Sequence, residues 1–322
     1  MCTAVACGGD RLYFGRTLDH TESYGEEVVI AERNFPLALG SAGVLRAHYA
    51  MVGMAHVAGG TPLFYDGMNE AGLCVAGLHF VGNAQYKSPQ TGWENLPSFG
   101  VIPFLLARCA DTAEAERALH RVCITDEAFS AARPAAPLHW LVADARRALA
   151  VECTVEGMRI YEDPVGVLTN NPPFPMQLQR LNDYIDLSPR TPTGRWGDLP
   201  MAPYSYGMGA LGLPGDLSSA SRFVRAAFMK THTVLGDVPQ MAVERFFRVM
   251  DTVVQPYGCC ETEAGVFEQT LYTSCCDAAR GIYHYNTFAD RSIKAVPLEG
   301  ELAGSTLRRH PLSGLGRIGK RA

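Results

Sequence analysis

Met1-Cys2-Thr3-Ala4-Val5-Ala6-Cys7-Gly8-Gly9-Asp10-Arg11-Leu12-Tyr13-Phe14-Gly15-Arg16-Thr17-Leu18-Asp19 opens the chain, and its reading decides the fold. Thr3 to Cys7 alternates small and apolar residues, Gly8-Gly9-Asp10 supplies a turn, and Arg11 to Asp19 returns as a second strand. Cys2 therefore begins a strand, and Arg16 and Asp19 stand on its pairing partner within reach of the N-terminus. A small residue after Met1 permits Met removal, which leaves Cys2 with a free α-amine beside its thiol. Such an amine has an ordinary pKa of about 8 and a thiol one of about 8.5, so the two can exchange a proton near neutral pH. Nucleophile and base then share one residue. A nearby Arg favours thiolate, and an Asp can hold an ammonium or a thiol proton.

Further along, Leu138–Val142, Leu149–Glu152, Met158–Tyr161 and Val165–Leu168 are short apolar runs separated by polar turns, which predicts an antiparallel meander. Gln269–Tyr272 and Gly281–Tyr285 predict a third hairpin. Helices are expected between these clusters: 113 to 121 after Asp111-Thr112, Phe223 to Lys230 after Ser219 or Ser221, and a run opened by Pro239 that reaches Val254. Strand clusters alternating with helices predict two antiparallel sheets packed together with helices outside. One domain spanning 2–322 is expected, with 187 to 206 a surface loop and a flexible tail from about residue 303.

With 322 residues, 47% hydrophobic, 19% charged and a formal net charge of -5, the chain has the composition of a soluble globular protein. Scattered basic residues outnumbered by acidic ones argue against a nucleic-acid partner. No apolar run approaches the roughly 20 residues of a spanning helix, and no export signal opens the sequence, so a cytoplasmic protein without a membrane partner is expected. Of the ten cysteines, Cys259-Cys260 and Cys275-Cys276 are adjacent pairs, poor geometry for ordinary disulfides or for zinc ligands. They are expected to be reduced thiols, mostly packed as small hydrophobes, and no metal or cofactor is expected. Gly207-Met208-Gly209-Ala210-Leu211-Gly212 fits the dinucleotide pattern, but Pro214 interrupts where its helix should open.

Two more segments bear on chemistry. Thr169-Asn170-Asn171-Pro172 ends the meander with amides able to donate to an oxyanion, and Ser219-Ala220-Ser221-Arg222-Phe223 puts Arg222 at a helix start, where a cation calls for an anionic partner. Together with Asp66-Gly67-Met68-Asn69-Glu70, Gly72-Leu73, Leu138-His139-Trp140, Leu213-Pro214-Gly215-Asp216 and Tyr272-Thr273-Ser274-Cys275, these motifs keep their order from residue 2 to about 290. In that order the chain resembles the choloylglycine hydrolases, N-terminal nucleophile enzymes that include bile salt hydrolases and penicillin V acylases.

The resemblance implies a four-layer αββα fold, commonly assembled as a homotetramer, and hydrolysis of glycine- or taurine-conjugated bile salts. By position, Cys2 resembles the nucleophile; Arg16, Asp19 and Arg222 resemble the residues that set the thiol's charge and place; and Asn170 resembles the oxyanion donor. His79 stands where the family has Asn in bile salt hydrolases and Tyr in penicillin acylases, and is expected to supply a backbone N–H to the oxyanion. Leu18, Ala58, Tyr65, Phe129 and Leu138 match loops of the acyl pocket. Penicillin V or an N-acyl homoserine lactone is the alternative substrate, and a non-catalytic binder with the same fold the alternative class.

Overall fold

The computed structural model describes residues 1–9, 11–300 and 302–312. In chain order its principal elements begin with β1 (Cys2–Cys7), β2 (Tyr13–His20), β3 (Glu26–Ala31), β4 (Met51–Ala58), β5 (Thr61–Asn69), β6 (Cys74–His79), α1 (Val101–Arg108) and α2 (Thr112–Leu119). They continue with β7 (Leu138–Ala143), β8 (Ala148–Thr154), β9 (Gly157–Glu162), β10 (Val167–Leu168), α3 (Phe174–Arg180), α4 (Ser219–His232) and α5 (Pro239–Asp251). The last are β11 (Cys260–Glu263), β12 (Val266–Asp277), β13 (Ile282–Thr287), β14 (Lys294–Pro297) and β15 (Leu307–Pro311).

Alternate residues of a strand face opposite sides, so each strand here can serve two layers at once. A seven-stranded sheet runs β10-β1-β2-β12-β13-β14, with β11 paired to β12; an eight-stranded sheet runs β9-β8-β7-β6-β5-β4-β3-β15. Ala4, Phe14 and Leu18 of the first pack against Met54, Ala76, Leu78 and Leu141 of the second. Phe223 of α4 and Phe246 of α5 extend this core over the outer face of the seven-stranded sheet. Phe104 of α1 and Leu119 of α2 close the other outer face against Val75, Trp140 and Val142. These are the four layers expected, αββα. Each buried Leu or Phe of this kind contributes roughly 1.5–3 kcal/mol. Gly15 lets β2 and β12 come together: a Cβ there would lie 1.9 Å from the Ser274 carbonyl oxygen.

The meander is shorter than expected. Its fourth run leaves the eight-stranded sheet because the Asp163 carboxylate accepts the N–H groups of Val165, Gly166 and Val167 at 2.7 to 2.9 Å and turns the chain. β10 then pairs with β1, Ala4 opposite Leu168, and carries Thr169-Asn170 alongside Cys2. α2 starts where expected, with the Asp111 side chain accepting from the Glu114 N–H. α4 is capped by Ser218 rather than by Ser219 or Ser221, which frees Ser219 for the site, and α5 opens at Pro239 but stops at Asp251. α1 escaped the sequence reading because Val101–Ala107 is buried all round and lacks a polar face to set a helical period.

The expected surface loop at 187 to 206 contains a small hairpin, Gly194–Trp196 with Leu199–Met201. The expected tail is also corrected: β15 pairs with β3, and Arg309 forms an ion pair with Glu27. Its polar Leu-Arg-Arg-His-Pro sequence suits an edge strand and hides the strand signal. Residues 313–322 of that expected tail lie outside the described residues.

Candidate active site

Cys2 faces Leu18 across the β1–β2 ladder and Ala4 faces Arg16, so Cys2 and Arg16 share the side turned toward the second sheet. The Arg16 guanidinium is buried. Its Nη2 donates to Cys2 Sγ at 2.5 Å, its Nε to the Thr17 carbonyl at 3.1 Å, and its Nη1 to the carbonyls of Tyr65 and Gly77. Asp19 is an odd number of residues from Arg16 and points to the opposite side. Its carboxylate accepts from Thr270 Oγ1 at 2.6 Å and Gln255 Nε2 at 3.2 Å and forms no hydrogen bond with Cys2. Burial raises the Asp19 pKa, against the pull of Arg222 and the N-terminal amine. Arg16 donates to the thiol directly, while Asp19 meets the N-terminus through its main chain and its charge faces Arg16 and Arg222.

The other face of β1 is held by α4 and the end of β10. The Cys2 N–H donates to Asn170 Oδ1 at 2.9 Å, and Arg222 Nη2 donates to the same oxygen at 2.8 Å. Arg222 also donates to the Cys2 carbonyl at 2.6 Å, to Thr3 Oγ1 and to the Leu217 carbonyl. Asn170 Nδ2 donates to the His79 carbonyl at 2.8 Å, joining β10 to the end of β6. The fold thus brings Cys2, Arg16, Asn170, Arg222 and His79 into one constellation.

Four further residues that the sequence reading did not assign to the site hold Thr169-Asn170. Ser219 Oγ accepts the Asn170 N–H at 2.8 Å and Gln177 Nε2 donates to the Asn170 carbonyl at 2.6 Å. His139 Nε2 meets the Thr169 carbonyl at 2.9 Å while its Nδ1 meets Glu152 Oε1 at 3.0 Å, both side chains being buried. A signal for Glu152 was present: it shares the core-facing parity of Ala148 and Ala150, where a carboxylate needs a partner.

His79 ends β6 opposite Leu138, and its ring lies 6.0 Å from that of His20. The Phe80 N–H donates to the Pro137 carbonyl, so by ladder alternation the His79 N–H points to the other edge of β6, where pairing with β5 has stopped at Ala76. Burial, assisted by the N-terminal amine, His20 and Arg16, lowers the His79 pKa to about 4. The unfolded chain then binds more protons than the folded one between pH about 6.5 and 4, so stability rises with pH across that window and is lost as pH falls. The His79→Asn variant should lose less stability than the parent between pH 6.5 and 4.5. Urea unfolding of both proteins at the two pH values measures this, and equal losses would remove His79 from the linkage.

The profile described as "linear amide C-N hydrolases, choloylglycine hydrolase family" matches residues 2–306. The chain belongs to this family. It is 42% identical to a bile salt hydrolase/transferase of Lactiplantibacillus plantarum, over 97% of each chain. Its structure is similar to that of a conjugated bile acid hydrolase from Clostridium perfringens, with TM-score 0.92, 31% identity and 99% of each chain covered. A penicillin V acylase from Agrobacterium tumefaciens shares the fold at 22% identity and TM-score 0.76, with 98% of this chain and 92% of that one covered.

In this choloylglycine hydrolase chain Cys2 is only 2% exposed with Met1 in place before it. The Met1 amine is held by Glu268 Oε1 at 2.5 Å and by the Asp19 carbonyl at 3.0 Å. Of the pocket residues expected from the sequence, Leu18 lies opposite Cys2, Leu138 lies opposite His79, and the Tyr65 carbonyl touches Arg16. Ala58 ends β4, and Phe129 packs edge-on against Phe99 at 5.3 Å; neither is tied to Cys2 by a hydrogen bond or strand pairing. Among the described residues no helix is long and apolar enough to cross a membrane.

Proposed function

We propose that this protein hydrolyses glycine- or taurine-conjugated bile salts through Cys2, freed as the first residue by removal of Met1. The observation that carries the reading is the placement of Cys2 between Arg16 on its thiol and Asn170 with Arg222 on its main chain. The relative from L. plantarum, named for that activity, supports the substrate class. After Met1 leaves, the nitrogen that now donates to Asn170 Oδ1 becomes the α-amine, and that oxygen holds it beside the thiol. The amine takes the thiol proton, and the thiolate, favoured by Arg16, adds to the amide carbonyl. The second Asn170 Nδ2 hydrogen and the His79 N–H stabilise the oxyanion. Collapse expels glycine or taurine, protonated by the α-ammonium, and leaves a cholyl thioester. The amine then activates water to cleave it.

A steroid acyl group is broad and rigid and needs a wide apolar wall. Leu18, Tyr65 and Leu138 beside the constellation supply one, and His79 lacks a phenol. Glycocholate or taurocholate should be cleaved with kcat/KM at least about tenfold above penicillin V. Assays of the mature enzyme on the three substrates test this; penicillin V as the better substrate would overturn the bile salt assignment and leave the Cys2 mechanism standing.

The active form is a homo-oligomer, by resemblance a tetramer. Support comes from the hairpin at 194 to 201, which projects Trp196 at 79% and Leu199 at 62% exposure, followed by Tyr204 at 84% and Tyr206 at 95%. Apolar groups clustered so openly on a protruding element suit a surface that meets another subunit. Light scattering should give an assembly for the parent and smaller species for Trp196→Glu with Leu199→Glu. A monomeric parent would contradict it.

A further inference from the structure

Arg16 is a cation in the middle of the molecule, and every group it donates to is a neutral carbonyl apart from the Cys2 thiol. A buried charge in such a place needs a fixed counter-charge. Asp66 stands next to Tyr65, whose carbonyl Arg16 grips, and it is completely buried. Its two oxygens are met from the opposite sheet: Tyr272 Oη donates to Oδ2 at 2.6 Å, and Tyr283 Oη to Oδ1 at 2.6 Å. Two phenol donors, one per oxygen, suit an ionised carboxylate, which can only accept. Ser274, whose Oγ accepts the Arg16 main-chain N–H, adds a third hydroxyl close to the same carboxylate. Burial raises the Asp66 pKa, and Arg16 and the hydroxyls act against that rise.

We propose that Asp66, clamped between Tyr272 and Tyr283, is a positioning residue that balances the Arg16 guanidinium and so limits how strongly Arg16 draws Cys2 into the thiolate form. The inference rests on the reading of Cys2 as the nucleophile. Full pull from an unbalanced Arg16 would give a thiolate that forms at lower pH but attacks less well, because nucleophilicity falls with basicity. Asp66 makes no contact with the thiol and acts through Arg16.

The neighbouring groups leave this role to Asp66. Burial raises the acid groups that face it, Tyr272 and Cys276 on β12 and Tyr283 on β13, and also Tyr65 on β5, which faces Arg16, above their ordinary values, so they stay neutral where the enzyme would work. Cys74 on β6 faces the same space through Cys276. Near Cys2 the charged groups are the N-terminal amine, Arg222 on α4, and Asp19 and Glu268, which face Arg222; Asp19 also acts on Arg16, after Asp66. His79, lowered to about 4, is neutral.

The test is the pH dependence of iodoacetamide alkylation at Cys2 in the mature protein, read by mass on the N-terminal peptide, which needs no bile salt. Asp66→Asn, which can still bond both phenols, should shift the midpoint to lower pH by at least about 0.5 unit, roughly a threefold change in ionised fraction, and lower the alkaline plateau. Tyr283→Phe removes one donor to the carboxylate and should shift it the same way by less. A purely structural Asp66 would change stability or yield and leave the midpoint in place. An unchanged midpoint in folded Asp66→Asn, or in Tyr283→Phe should the first not fold, overturns the proposal. Parent protein that is not alkylated at Cys2 overturns the nucleophile reading and the inference with it.

Discussion

A chain that keeps a residue in front of Cys2 should fold and turn over essentially no substrate, a loss of about a thousandfold or more. With Met1 attached, the Cys2 nitrogen is an amide with no basic lone pair, and its N–H is donated to Asn170. The thiol then has no base on its own residue. Met1 is also pinned, by its amine to Glu268 and by its carbonyl to the Asp19 N–H, and Cys2 behind it is buried. Inserting Lys between Met1 and Cys2 blocks Met removal, and intact mass verifies that the extra residues remain. The variant should match the parent in its circular dichroism and in urea unfolding, while glycocholate hydrolysis disappears. Full activity would mean that the α-amine is not the base.

Arg222→Met should cost both stability and turnover. The guanidinium donates to the Cys2 carbonyl, Thr3 Oγ1, Asn170 Oδ1 and the Leu217 carbonyl in a space closed to water. A thioether fills similar volume and donates nothing, so buried acceptors go unpaired at about 1–3 kcal/mol each, partly relieved by relaxation. A net loss of roughly 2–5 kcal/mol in urea unfolding is expected. Asn170 loses one of the two donors fixing its Oδ1, so the amide loosens and kcat should drop at least about a hundredfold. Arg222→Lys should recover more stability than activity, because one ammonium cannot fork to Cys2 and Asn170 at once. Near-parental kcat in a folded Arg222→Met would take Arg222 out of the catalytic group.

The parts of the site legible in the sequence were those with local grammar. The Gly8-Gly9 turn between alternating runs put β1 against β2, and the small residue after Met1 pointed to Cys2. Strand parity, applied strictly, would also have separated Arg16 from Asp19, since residues an odd number apart face opposite layers. Distance along the strand put both within reach of the N-terminus but could not show that the Asp19 carboxylate bonds Thr270 and Gln255. What lay beyond reach depended on chain reversals and long-range pairing. β10 crosses to the other sheet because three main-chain N–H groups converge on Asp163, which no periodicity announces. The supports of Asn170 come from α3, α4, β7 and β8, and only the packed fold brings Gln177, Ser219, His139 and Glu152 together. Asp66 was quoted as part of a motif, yet its meaning appears only when two tyrosines from the opposite sheet close on it.

Whether Cys2 carries the acyl group is tested most directly by rapid-quench mass spectrometry of the mature protein mixed with taurocholate. The expected result is a cholyl thioester on the N-terminal peptide beginning at Cys2, formed as fast as taurine is released in the first turnover and lost on treatment with hydroxylamine. Taurine released with no adduct, or with the adduct on any other residue, would contradict it.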